Sequence, residues 1–308
     1  MNLCKVGGLV LDVLNISVGT PLELITGVIL RRPTDEELGL VIEVLKKHDP
    51  FDSLRTGYEF DQPPTSGPML LLPQAEWRYW LVDESSFPNT AIGTGLYELE
   101  RVSRLCKIEI PCSGIKLFRQ DGRLRYGTGR RIGTDPFVRI SLSRRPLLFD
   151  EAAAKQIQTT WKDLSNLDKR YCQITTAIDM FFSLMPFHLS IPMYALGVFA
   201  ILESVLTHDP KGPYESLTHQ IKSKLRLLEP RFDEPLNYAA FDIPPQTIWG
   251  LLYSYRSALA HGCKPDFKRK FRKLKDSSTV ISFLNDATKA LLRHALKEPQ
   301  LMLDLQAC

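Results

Sequence analysis

Short apolar runs broken by turn residues dominate the first half of the chain, and from about residue 150 apolar positions recur at helical spacing. Residues 9–16 and 24–30 are rich in Val, Ile and Leu and predict buried strands. Thr34, with Glu37 three residues on, forms a capping box and predicts a helix over 36–47, whose apolar positions are Leu38, Leu40, Val41, Val44 and Leu45. Residues 50–74, interrupted by four prolines beyond Pro50 and by Gly57 and Gly67, predict a long irregular connection. Aromatic and β-branched residues over 77–82 predict a strand, 96–107 a second helix, and 114–126 a hairpin turning at Asp121-Gly122. The glycine-rich segment 127–133 lacks the Gly-Lys-Ser/Thr ending of a phosphate loop and reads as a turn between strands.

Beyond Pro146 the helical spacing takes over. Helices are expected over 151–164, 169–184, 193–207, 214–228, 246–260 and 277–297, each with one apolar face, which implies a packed bundle. The expected fold class is therefore α+β: a mixed, strand-rich N-terminal domain over 1–148 and an all-α helical domain over 149–308. No Asp, Glu, Lys or Arg occurs between Asp179 and Glu203, which raises the question of a membrane span. Pro186, His188, Ser190 and Pro192 interrupt that stretch, so two buried helices joined by a turn fit it better.

Composition narrows the class. At 308 residues, 44% hydrophobic and 24% charged, the chain has the balance of a globular protein, not of a disordered or disulfide-stapled one. The six cysteines are scattered without framework spacing and suggest buried thiols in a reducing cytoplasm. The N-terminus lacks the basic flank of a signal peptide. Net charge is only +4, but residues 264–275 hold Lys264, Lys268, Arg269, Lys270, Arg272, Lys273 and Lys275 against the single Asp266. A second basic stretch, 116–145, carries nine cations against two acids. Either could attract a phosphate-rich partner, RNA above all, or simply form a solvated face.

Candidate chemistry concentrates at the end of the 246–260 helix, in Tyr253-Ser254-Tyr255-Arg256-Ser257-Ala258-Leu259-Ala260-His261-Gly262. Tyr253, Ser257 and His261 recur every four residues and form one stripe; Trp249, Leu252 and Arg256 form another. In a regular helix Arg256 and His261 stand about 140° apart around the axis and about 7.5 Å apart along it, so they do not converge. Either Gly262 frees the last turn, or two copies of the chain line a shared groove. An arginine can clamp a phosphate and oppose charge developing on its oxygens. A histidine can take the proton of a ribose 2′-hydroxyl or protonate a leaving 5′-oxygen, and Ser257 can hydrogen-bond the phosphate or orient the imidazole. No metal or other cofactor is required. On spacing alone the pair equally suits a helix-capping histidine and an ion-paired arginine.

The segment Arg256-Ser257-Ala258-Leu259-Ala260-His261 resembles the motif of the HEPN superfamily, nucleotide-binding helical domains of prokaryotes and eukaryotes, and in particular its Apea-like branch. That motif is an arginine, often a polar neighbour, and a histidine after four to six residues. Leu252-Tyr253 before it, Gly262 after it and the upstream Phe199-Ala200-Ile201-Leu202-Glu203 are also similar to the branch, and the resemblance spans about 190–295. It implies a metal-independent endoribonuclease that leaves 2′,3′-cyclic phosphate and 5′-hydroxyl ends and works as a homodimer through the helical domain. Such proteins serve as toxins or antiphage effectors, which implies a cognate inhibitor or sensor protein as partner. The family also holds noncatalytic RNA-binding and regulatory dimerisation modules. By this reading Arg256, His261 and Ser257 are catalytic, Glu203 and Tyr253 supporting, and the seven cations of 264–275 RNA-binding. Glu203, in an apolar helix, needs a charged partner, and Arg256 is the candidate. His208, His219, His261 and Cys263 match no compact zinc spacing.

Overall fold

The computed structural model describes residues 4–11, 14–48, 60–61, 70–71, 79–88, 91, 93–110, 112–120, 122–128, 147–184, 192–208, 216–241 and 243–307. The chain divides into two compact units, Met1–Trp161 and Lys162–Cys308. In chain order the first contains β1 (Cys4–Leu11), β2 (Leu14–Ile16), β3 (Leu22–Ile25), β4 (Val28–Arg31), α1 (Asp35–His48), β5 (Phe60–Asp61), β6 (Leu70–Leu71), β7 (Tyr79–Asp83), α2 (Thr94–Ser103), β8 (Cys112–Gln120), β9 (Arg123–Thr128), β10 (Leu147–Phe149) and the start of α3 (Glu151–Ser165). Six strands form one antiparallel sheet in the order β3-β4-β7-β1-β8-β9. The chain is thus α+β.

Local chemistry explains most of these elements. Thr34 and Glu37 make the expected reciprocal cap: the Glu37 amide donates to Thr34 Oγ1 at 3.3 Å and the Thr34 amide to Glu37 Oε2 at 2.8 Å. Arg31 ties this cap to the sheet, with 2.8 Å to Glu37 and 2.9 Å to Asp83. The expected hairpin turns at Gly122, which takes φ 75°, and pairs Ile115 with Thr128 through Gln120 with Arg123. The glycine-rich segment 127–133 continues β9 as far as Thr128, and its remaining residues lie outside the described ones, as do Trp77 and most of 50–74.

The two apolar runs read as strands divide further. Residues 9–16 supply the end of β1 and the separate strand β2, which pairs with β10. Residues 24–30 are not one strand but the hairpin β3–β4. Gly27 at φ 75° makes the turn, and its amide donates to Glu23 Oε1 at 2.7 Å. The division between the two compact units falls after Trp161, inside α3. Long-range bonds hold the first three turns of α3 to the sheet unit: Gln158 donates to the Glu23 carbonyl (2.7 Å), Trp161 Nε1 to Thr26 Oγ1 (3.1 Å), and the Lys107 amide to Gln156 (2.8 Å).

Among its described residues the second unit is built only of helices: α4 (Cys172–Ser183), α5 (Pro192–Leu206), α6 (Leu217–Leu228), α7 (Pro245–Ala260), α8 (Ser277–Lys297) and α9 (Pro299–Ala307), with short 3₁₀ turns between them. Helix α5 touches the other five, which explains why it is apolar almost all round. The charge-free stretch thus ends α4 and supplies α5, and no helix among the described residues is long and apolar enough to cross a membrane. Helix α9 was not expected; Pro299 at its first position was the available signal.

His294 on α8 is 3% exposed against Phe232, and neither ring nitrogen has a hydrogen-bond partner among the described residues. Burial pushes its pKa below the ordinary histidine value; the charges of Arg231 and Lys297 act with burial, and those of Glu298 and Asp233 against it. With the folded pKa depressed, the neutral ring's contribution is fully present above the unfolded value near 6.5 and is lost as pH falls below it. Urea unfolding of the wild type should weaken from pH 7.5 to 5.5 by up to about 1.4 kcal/mol per pH unit, and His294→Phe should remove that part of the slope.

Candidate functional site

Helix α7 begins on Pro245 and carries its apolar side, Ile248, Trp249, Leu252 and Tyr255, into the core of the helical unit. Its other end is closed by a glycine cap. The His261 amide donates to the Ser257 carbonyl at 3.1 Å, Gly262 to Leu259 at 3.0 Å, and Cys263 to Ala258 at 2.9 Å, with Gly262 at φ 70°. This is the Schellman pattern. A Cβ on Gly262 would meet nothing within 4 Å, so only backbone strain opposes substitution. Gly262→Ala should therefore cost about 1–2 kcal/mol in urea unfolding, and Gly262→Asn less.

The cap ends the helix after His261 and does not unwind the turn before it. Arg256 and His261 of one chain accordingly stay on different faces. Arg256 joins Glu203 of α5: its Nη2 is 3.2 Å from Glu203 Oε2, while Tyr253 Oη donates to Glu203 Oε1 at 3.1 Å. The guanidinium also lies 5.6 Å from the centroid of the Tyr253 ring, which meets Phe199 edge-on. Tyr253 keeps the four-residue spacing to Ser257 but turns its hydroxyl to Glu203, beside Arg256, and takes no part in the pocket that His261 lines. Burial and the Glu203 carboxylate raise the Tyr253 pKa, so its hydroxyl stays protonated and a donor. The Arg256 and Glu203 side chains keep 32% and 17% exposure, so the pair borders solvent. Arg256 Nε is buried and has no hydrogen-bond partner among the described residues.

His261 is exposed on the other face. With Ser254, Ser257, Lys264, Lys270 and the buried ring of Phe271 it lines an open pocket of about 390 Å³ that Arg256 does not enter. Ser254 was not singled out from sequence, although its spacing of three to Ser257 and seven to His261 is that of one helix face. Cys263 lines the same pocket and is exposed, as is Cys172, whereas Cys106 is buried; among the three cysteines whose burial is described, the expectation of buried thiols holds for Cys106 alone.

The 264–275 loop is pinned from beneath. Phe271 and Leu274 are buried, Tyr255, Phe267 and Phe271 pack ring to ring at 5.8–6.3 Å, and Asp266 Oδ1 accepts the amides of Lys268 and Arg269. Asp276 then caps α8 by accepting the Thr279 amide at 2.8 Å. All seven cations of the loop are exposed, and among the described residues none forms an ion pair. Lys264 and Lys270 turn to the pocket; Lys268, Arg269, Arg272, Lys273 and Lys275 do not line it.

Two further described histidines, His208 and His219, do not line the pocket. Gln220 brackets the backbone of His208 at 2.9 and 3.1 Å, and His208 Nδ1 is 3.4 Å from Lys224 Nζ. The His219 amide donates to the capping Ser216; His188 lies outside the described residues. Comparison with protein-family models, with characterised proteins and with solved structures gives no match.

Proposed function

We propose that the helical unit is a metal-independent endoribonuclease of the HEPN type, with His261 as its acid–base group. One observation carries the reading: an exposed histidine lines a basic pocket beside a hydroxyl, Ser257, that can bind phosphate or orient the ring. In the reaction His261 takes the 2′-hydroxyl proton, the 2′-oxygen attacks phosphorus, and the bond to the 5′-oxygen breaks. The proton is then delivered to that leaving oxygen, giving a 2′,3′-cyclic phosphate and a 5′-hydroxyl. Because Arg256 lies on another face of α7, the reading assigns its phosphate-clamping role to a homodimer. There the Arg256 of one copy, held by Glu203, serves the pocket of the other.

A noncatalytic RNA-binding module is the second reading, favoured by the separation of Arg256 from the pocket and by the seven exposed cations. Matched RNA and DNA oligomers incubated with the protein in EDTA separate the two. The ribonuclease reading predicts that RNA alone is cut, since DNA lacks the attacking hydroxyl. Salt-dependent RNA binding without products would favour the module.

A further inference from the structure

The pocket next to His261 has its own anion-binding groups. We infer that it is a nucleotide-sized phosphate subsite in which Lys264 and Lys270 hold the phosphate from within the same chain, whatever Arg256 a second copy adds, with Ser257 supplying a hydroxyl donor; the Ser254 hydroxyl donates to the Gly250 carbonyl and only lines the wall. The inference rests on the ribonuclease reading for the substrate's identity as RNA, but not for the binding itself.

Four observations lead there. First, Asp266 is the only carboxylate among the described residues that line the pocket, it is opposed by Lys264 and Lys270, and its Oδ1 is already accepting two loop amides. Second, neither lysine is neutralised by an ion pair among the described residues, so a bound phosphate meets unspent charge. Third, the backbone that carries both lysines is fixed beforehand. The loop leaves the glycine cap at Gly262, closes through the Phe271 amide on the Asp266 carbonyl at 2.9 Å, and sinks Phe271 into the core, with Lys270 Nζ 5.2 Å from that ring. A preformed arrangement of this kind lowers the ordering cost of binding. Fourth, the volume of about 390 Å³ lies near the lower end of the range of small-ligand sites, about 300–1,000 Å³, which suits one nucleotide and not a longer segment. Arg256, by contrast, has Nη2 on Glu203 and lies outside the pocket wall.

Cys263 offers a readout that does not depend on activity, because it lines the pocket and is exposed, while Cys172, also exposed, lies on α4 and serves as internal reference. The full chain is alkylated with iodoacetamide, with and without adenosine 3′-monophosphate, and the two cysteines are followed by mass spectrometry. The nucleotide should slow Cys263 about fivefold at a concentration several times its dissociation constant and leave Cys172 unchanged. Adenosine should protect little. Lys264→Gln with Lys270→Gln should weaken protection about tenfold or more, the loss of charge-assisted contacts, with an unchanged thermal melt because both side chains are exposed.

No protection at millimolar nucleotide would overturn the subsite. So would equal protection by adenosine, equal protection by inorganic phosphate, or protection that survives the double substitution. RNA cleavage on the same preparations keeps the two claims apart. Protection without cleavage retains the subsite and removes the ribonuclease; cleavage without protection does the reverse.

Discussion

His261→Ala is expected to lower RNA cleavage by about 10²–10⁴-fold, the usual contribution of a positioned acid–base group. The substitution removes an exposed ring at the helix end, and the cap that fixes the backbone there uses only main-chain groups of 257–263. Unfolding by urea should therefore change little, which separates loss of chemistry from loss of fold. Arg256→Ala should also lower cleavage sharply, but with a different signature. It leaves the Glu203 carboxylate with the Tyr253 hydroxyl as its remaining partner, so a stability loss of about 1 kcal/mol should accompany it, as for a partly exposed ion pair. Mixing the two inactive variants gives a further expectation from the dimer reading. If each pocket uses the partner's arginine, mixed dimers regain one intact site and part of the activity. Activity measured on a titration of one variant into the other checks this.

The largest effect on stability is expected at Phe283. Its ring, 6% exposed on α8, meets Tyr238 and Phe241 at 5.1 Å and Trp249 at 5.5 Å. Trp249 is on α7, so this cluster fastens the helix that carries the candidate site to α8. The polar edge of the cluster is also satisfied: Tyr238 donates to Glu229, and Trp249 Nε1 lies 3.2 Å from Tyr238 Oη. Burial and the Glu229 carboxylate together push the Tyr238 hydroxyl far above its ordinary pKa, so it remains a donor throughout the usable pH range. Phe283→Ala removes the ring on which three others pack and should cost about 3–5 kcal/mol in urea unfolding. Phe283→Leu, which keeps most of the apolar volume, should cost clearly less.

What could be read from the chain divides by the range of the interaction. The cap of α1 was legible because Thr34 and Glu37 are three residues apart, and the end of α7 because Gly262 directly follows its last turn. The Glu203–Arg256 pair was inferable from charge alone, since an acid in an apolar helix requires a partner. Other features depend on contacts between distant residues. The fully buried Glu84 caps α2 by accepting the amides of Gly93 and Leu96, the latter at 3.1 Å, although Gly93 itself has no capping side chain. The attachment of α3 to the sheet unit rests on Thr26 and Glu23, some 135 residues upstream. At the site, the sequence marked the stripe of Ser257 and His261 but could not show that Ser254, Cys263 and Lys270 share its pocket. That depends on the path of the loop, fixed by burial of Phe271 and Leu274. Nor could spacing show that the Tyr253 hydroxyl turns to Glu203.

The central claim is that His261 supports transfer to the 2′-oxygen without a metal, and end-group analysis tests it most directly. Purified protein is incubated with a defined RNA in EDTA and the product termini are determined. The account predicts 2′,3′-cyclic phosphate on one fragment and 5′-hydroxyl on the other, and neither with His261→Ala. Intact RNA, 3′-hydroxyl and 5′-phosphate ends, or unchanged cleavage by His261→Ala would contradict it.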